Sequence, residues 1–161
     1  MATPALAEKV RIIPGTADQL DDVMKVMDAA FGDQFGEAWT RSQLSGILPM
    51  AGVSLILAVN RGRDCVVGFS LTRTVAEESE LLLIAVLPDE QRGGVGTLLL
   101  DDFLDRARDE GASRVHLEVR DGNPAIDRYG AAGFSPVGRR RNYYHSTSGK
   151  RFDAITLAYE L

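Results

Sequence analysis

The feature that most constrains this chain is a junction. Leu81 to Leu87 (LLLIAVL) is an almost unbroken apolar run, Pro88 to Thr97 (PDEQRGGVGT) is rich in glycine, and Val95 to Asp109 carries Leu98, Leu99, Asp102, Phe103 and Arg106 at helical spacing. The apolar run is strand-sized, and its lack of alternation predicts a strand buried on both faces. The sequence therefore predicts a strand, a glycine loop and an amphipathic helix in direct succession, stopped by Gly111.

The flanking segments supply the rest of a sheet. Val10 to Ile13 reads as a short strand broken by Pro14-Gly15. Thr16 with Gln19, and Thr40 with Gln43, are capping boxes. Leu20, Val23, Met24, Met27 and Phe31 follow the first box at helical spacing; Leu44, Ile47 and Leu48 follow the second and stop before Pro49. Val53 to Val59 and Cys65 to Thr74 flank Asn60 to Asp64 as a hairpin, and Glu80 to Leu87 is the third strand of that group. Arg114 to Arg120 is a strand, and Asn123-Pro124 opens a helix that Gly133 closes. Phe134 to Tyr144 and Phe152 to Leu161 are the last strands. This order predicts an α/β chain with a mixed sheet and helices on both faces. With no repeat, linker or low-complexity tract, residues 1–161 are expected to form one domain.

Composition narrows the chemistry. The formal charge is −5, which is a poor footing for general nucleic-acid binding. It is unevenly spread: residues 1–90 hold seven basic and thirteen acidic side chains, residues 91–161 eleven and ten. Cys65 is the single cysteine, so no intrachain disulfide forms, and a reducing cytoplasm is the expected compartment. Two histidines and one cysteine leave a zinc site without its usual ligands, so no metal is expected. No apolar run reaches the roughly 18 residues of a membrane span, and the first residues (MATPALAEKV) do not read as a secretory signal.

The loop suits an anion. Its glycines let main-chain N–H groups approach a ligand, the following helix presents the positive end of its dipole, and Arg92 adds a fixed charge that can bond two phosphate oxygens. A P-loop would need a lysine that neither the loop nor the following helix has. A dinucleotide fingerprint would need glycine where Leu99 stands. What remains is Q-x-x-G-x-G, formed by Gln91, Gly94 and Gly96, with a plain surface turn as the alternative.

That pattern resembles the acetyl-CoA loop of the GNAT superfamily of N-acetyltransferases. Downstream, Leu117-Glu118-Val119-Arg120, Asn123, Tyr129, Gly133-Phe134, Arg140 to Tyr144 (RRNYY) and Asp153-Ala154 resemble its RimI-type branch, the bacterial ribosomal-protein alanine N-acetyltransferases. Two departures stand out: Ala38-Trp39 replaces the family's Pro-Trp after a longer loop from Phe31 to Glu37, and the stretch from Glu118 to Tyr129 is one residue short. The resemblance implies a GNAT-like, mostly antiparallel sheet of about seven strands flanked by about four helices.

It also implies roles. Glu118 would be the general base and Tyr129 the general acid; a cross-strand ion pair and simple helix packing are their structural alternatives. Ile84, Ala85 and Val86 would line the pantetheine through their backbone, with Gln91, Arg92, Gly93, Gly94, Val95, Gly96, Thr97 and Asn123 as further cofactor contacts. Asn123 reads equally well as a helix cap. Tyr143 and Tyr144 would meet the substrate, one facing the peptide and one the core. Glu77, Glu78 and Glu80 read as a solvated acidic turn that could attract a basic substrate residue. The expected reaction is acetyl transfer from acetyl-CoA to a protein N-terminus, an alanine of a ribosomal protein, without direct nucleic-acid or membrane binding. Acetylation of a small amine or a lysine, or CoA binding without catalysis, are the alternatives. An α-amino group titrates near about 8 and is partly neutral at physiological pH, whereas a lysine near about 10.4 costs roughly 3 kcal/mol more to deprotonate. That difference favours the N-terminal amine.

Overall fold

The computed structural model describes residues 4–161. Seven strands form one sheet in the order β1-β2-β3-β4-β5-β7-β6. They are β1 (Val10–Pro14), β2 (Val53–Asn60), β3 (Cys65–Val75), β4 (Glu78–Val86), β5 (Arg114–Arg120), β6 (Ser135–His145) and β7 (Arg151–Glu160). Every neighbouring pair is antiparallel except β4 and β5. The helices are α1 (Pro4–Lys9), α2 (Leu20–Phe31), α3 (Arg41–Ile47), α4 (Val95–Asp109) and α5 (Ala125–Ala132). Short 3-10 turns at Ala17–Gln19 and Pro88–Gly93 precede α2 and α4. The mixed, mostly antiparallel sheet is as expected; α1 is the element the sequence pattern did not single out, being short and weakly periodic.

Both capping boxes form. The Thr16 N–H donates to Gln19 Oε1 at 2.7 Å, and the Thr40 N–H to Gln43 Oε1 at 2.8 Å. The first box caps the 3-10 turn that leads into α2 rather than α2 itself. Phe134 lies before β6, not in it: it follows Gly133 into the core beneath α5.

Helices cover both faces. On one, α2 and α3 bring Val23, Met27 and Leu44 against Leu57, Phe69, Leu71, Leu83 and Ala85. On the other, α4 and α5 bring Leu100, Phe103 and Tyr129 against Leu81, Val115, Leu117 and Leu157, while α1 joins Val86, Val95 and Leu99 through Leu6. The apolar run in β4 thus feeds both faces. A bulge sharpens this: Leu71 pairs with Leu83 but Thr72 with Leu81, leaving Leu82 as an extra residue. Leu81 and Leu83, two positions apart, consequently face opposite sides of the sheet.

The parallel pair positions the site. β4 and β5 are hydrogen-bonded neighbours only from Glu78 to Leu81 against Arg114 to Leu117. Beyond that point the two strands run on, to Val86 and Arg120, without pairing. The sheet is split between them.

Candidate active site

The split opens a cleft of about 470 Å³, within the usual range for a small-molecule site. One wall is the unpaired edge of β4 from Leu82 to Val86, the other is β5 from Leu117 to Arg120, and the end of α2 with the segment after it, α5 with Asn123, Gln91 and the two tyrosines of β6 add to the lining. Backbone groups along a parted strand lack ladder partners, so this edge can hydrogen-bond an extended ligand as a third strand would. Ile84, Ala85 and Val86, expected to offer such an edge, all line the cleft.

At the end of β4 the chain turns through the glycine loop. Gln91 lines the cleft, and its Nε2 donates to the Val86 carbonyl at 3.1 Å, tying the loop to the strand. Arg92 and Gly93 are exposed. Gly94 has φ +89°, a left-handed conformation that favours glycine, and caps α4 without a side-chain hydrogen bond. The Val95 side chain belongs to the core, so only its backbone faces the loop. Gly96 and Thr97 lie in the first turn of α4, where N–H groups have no intrahelical acceptor. The loop is therefore a set of free amides, one exposed arginine and a helix N-terminus at the mouth of the cleft.

Glu118 lines the cleft from β5, with its side chain only 13% exposed. Its neighbours at alternate positions of β5, Val115, Leu117 and Val119, are apolar. Those three face the helices, and the carboxylate points to the opposite, polar side. The Thr156 hydroxyl donates to Oε2 at 2.7 Å, and Arg140 Nε pairs with Oε1 at 3.0 Å. The cross-strand ion pair considered as its alternative role is thus present, made by an arginine that is itself largely exposed.

Tyr129 sits on α5 with its ring buried against Phe134 and its residue on the cleft wall. Burial pushes its hydroxyl up to about 12, with Arg128 lowering it and Glu37 raising it. It is accordingly a proton donor throughout the physiological range. The Tyr144 hydroxyl is also raised, chiefly by burial and then by Glu37, and donates to the Glu118 carbonyl at 3.4 Å.

The two tyrosines do not divide between peptide and core. Tyr143 is 48% exposed, Tyr144 half-buried, and both line the cleft, their rings edge to face at 4.9 Å. The reason is an irregularity in β6: pairing skips from Arg140 to Tyr144, and Asn142 has φ +53°. The Asn142 N–H donates to Asp153 Oδ1 at 2.9 Å, and Arg139 bonds Oδ2 of the same carboxylate at 2.9 Å. The residues of the RRNYY and DA segments thus meet to pin one bulge.

Asn123 lines the cleft, but its amide is engaged at both ends: Oδ1 accepts from the Ala125 N–H at 2.9 Å, and Nδ2 donates to Glu37 Oε2 at 3.0 Å. The residue that caps α5 is Pro124, so Asn123 stands one position before the expected cap but still accepts from the first N–H of the helix. Glu37 also pairs with Arg120 at 3.3 Å, both side chains nearly buried, and the Arg120 guanidinium lies 3.6 Å from the centre of the Phe35 ring. Of the acidic turn, Glu77 and Glu78 are exposed, whereas Glu80 lines the cleft beside His116 (3.6 Å) and holds that imidazole above its usual range. Glu37, Arg140 and Thr156 were given no site role from the sequence because each reaches the site across a long chain separation. Among the described residues no cluster of three or more metal-ligating side chains occurs, and no helix is long and apolar enough to cross a membrane.

Comparison with known proteins gives concordant results. The profile of the acetyltransferase (GNAT) family matches residues 20–134. A [ribosomal protein bS18]-alanine N-acetyltransferase of Haemophilus influenzae is 39% identical over 93 residues, 58% of this chain and 64% of that protein. The protein of that name from Escherichia coli K12 is 43% identical over 91 residues, 56% and 61%. The chain thus spans somewhat under two thirds of the length of these relatives. Among solved structures, the E. coli ribosomal-protein-S18-alanine N-acetyltransferase superposes with a TM-score of 0.83 at 30% identity, covering 94% of this chain and 93% of that one. Ard1 of Thermoplasma volcanium gives 0.81 at 26% identity, covering 95% and 98%.

Proposed function

The chain belongs to the acetyltransferase (GNAT) family, and from that premise we propose that it moves the acetyl group of acetyl-CoA onto the α-amino group of a protein N-terminus. The acceptor we infer is an N-terminal alanine of a ribosomal protein, the substrate in the names of its relatives. The observation that carries this reading is the parted β4–β5 pair, whose cleft runs from a phosphate-suited loop to Glu118, Tyr129, Tyr143 and Tyr144. We place the reaction in the cytoplasm, with no role for nucleic acid or membrane.

The cleft fits the co-substrate. Free amides at the start of α4 and the Arg92 side chain suit a pyrophosphate, and the unpaired β4 edge suits an amide-bearing arm. Acetyl-CoA supplies a thioester carbonyl and a sulfur leaving group. Glu118 takes the proton that the attacking amine must lose, directly or through water, with Thr156 and Arg140 holding its carboxylate in position. Tyr129 gives its proton, or a strong hydrogen bond, to the sulfur as charge develops there. A phenol at about 12 is mismatched with a thiol near about 8.5 by roughly 5 kcal/mol. The apolar surroundings of Tyr129 penalise a thiolate as well as a phenolate, so the mismatch shrinks in the loaded site.

Two measurements test this. Tyr129→Phe and Glu118→Gln are each expected to lose at least about a hundredfold in kcat while keeping CoA affinity; unchanged turnover in both would remove the mechanism. Mass spectrometry of peptides differing only at residue one, N-terminally free or blocked, is expected to find acetylation of free N-terminal alanine. Modification of blocked, lysine-bearing peptides alone would instead make this a lysine acetyltransferase.

A further inference from the structure

One charged side chain at the cleft has no role so far. Arg128 lies on α5, one residue before Tyr129, half-buried on the cleft wall. Its guanidinium lies against the first turn of α4: a Cβ on Gly96 would stand 2.4 Å from Nη1 and 2.9 Å from Cζ. The slot that Gly96 leaves is filled by an arginine from another helix. Among the described residues no carboxylate pairs with Arg128, although many of the other arginines have such a partner. A cation with no counter-ion, held against the positive end of a fifteen-residue helix, is unfavourable unless an anion lies between them.

We propose that Arg128 is a positioning residue for the pyrophosphate of CoA, closing on it from the α5 side while the glycine loop and Arg92 hold it from the other. The planar guanidinium fork suits two phosphate oxygens. The pyrophosphate is favoured over the 3′-phosphate because Arg128 acts on the Tyr129 hydroxyl through its charge. It therefore lies near the path between the reacting sulfur and α4, where the arm of CoA ends in the pyrophosphate. Gly96 then has a defined task. It leaves room for the guanidinium, although alanine would be the better helix former at that position.

This inference rests on the acetyl-CoA reading above, and the experiment separates the two. Calorimetric titrations of wild type, Arg128→Gln, Arg128→Lys, Gly96→Ala and the Arg128→Gln/Gly96→Ala double variant would use CoA and 3′-dephospho-CoA, with S-acetyl-pantetheine compared as an acetyl donor. Arg128→Gln is expected to weaken CoA and dephospho-CoA alike, by about tenfold or more, and to lower kcat/KM for S-acetyl-pantetheine far less, since there only its charge beside the Tyr129 hydroxyl is lost. Arg128→Lys should recover part of the affinity. Gly96→Ala, by pushing the guanidinium aside, should reproduce the loss, and the double variant should lose no more than either single one. Without ligand, Arg128→Gln should melt no lower than wild type, while the rise in Tm on adding CoA shrinks. Unchanged CoA affinity would overturn the proposal. A loss confined to CoA would point to the 3′-phosphate and overturn it, and an equal loss with S-acetyl-pantetheine would do the same. A wild-type protein that binds neither CoA nor dephospho-CoA would overturn the acetyl-CoA reading itself.

Discussion

Tyr129 shows how one residue's setting fixes both its chemistry and its cost. Its phenol titrates at about 12 in the folded protein because burial penalises the phenolate, whereas in the unfolded chain it titrates near about 10. Below pH 10 both states hold the proton, so stability is unaffected. As pH rises from about 10 to about 12 only the unfolded state ionises, and stability falls by about 1.4 kcal/mol per unit. Urea unfolding at pH 9 and pH 11 should therefore show wild type losing more stability than Tyr129→Phe, by roughly 1–2 kcal/mol. Tyr144 is shifted in the same direction, but it is present in both proteins and cancels. Equal losses in the two would mean that the phenol is not buried as described. At this scale the sequence was informative about identity and weak on environment. The sequence singled out Glu118 and Tyr129, both of which line the cleft, but not the partners of Glu118. Thr156 and Arg140 reach it from β7 and β6, 38 and 22 residues along the chain, and no local periodicity encodes such a meeting.

At the scale of elements, what the sequence marked well was whatever local chemistry determines. Two capping boxes, the bounds of α4 at Val95 and Asp109 and the glycine closing α5 all follow from contacts within a few residues. The longer loop between α2 and α3 was visible only as a departure, because its purpose depends on distant partners. It carries Phe35 and Glu37 across the cleft to Arg120, where ring, carboxylate and guanidinium stack, and Asn123 completes the network. Glu37 and Arg120 are 12% and 10% exposed, so removing one partner leaves the other charged, nearly buried and unpaired. Glu37→Ala is predicted to destabilise the protein by about 3 kcal/mol, read as a lower urea midpoint at an unchanged slope. The exposed pair between Arg41 and Asp21 is the control; Asp21→Ala should cost about 0.5 kcal/mol. If both substitutions cost the same small amount, the loop is not fastened to β5 in the way the geometry implies.

For the whole molecule, the decisive property is one that no residue pattern announces: a single continuous sheet that is nevertheless divided. Four residue pairs join β4 to β5, and past them the two strands part, bridged beneath by α4, which packs Val95 and Leu99 on strands of the first half and Leu100 and Phe103 on those of the second. Of the acidic side chains of residues 1–90, Glu37 and Glu80 line the cleft, and Arg120 and Arg128 of the second half line it beside them. A ligand laid along the open edge of β4 would complete the missing ladder and join the halves. Amides of Leu82 to Val86 that point away from β3 have no strand partner in the free protein, so their exchange with solvent should be limited mainly by local exposure. Adding acetyl-CoA should slow exchange in peptides covering residues 82–97 by about tenfold or more, as new hydrogen bonds form and binding stabilises the native state. Peptides from β1 and from the β2–β3 turn should slow far less, because their hydrogen bonds are already made without ligand. Protection spread evenly over the molecule would mean that binding merely raises global stability. Protection concentrated on the inner edge of β4 and the start of α4 is what a ligand replacing the missing strand contacts requires.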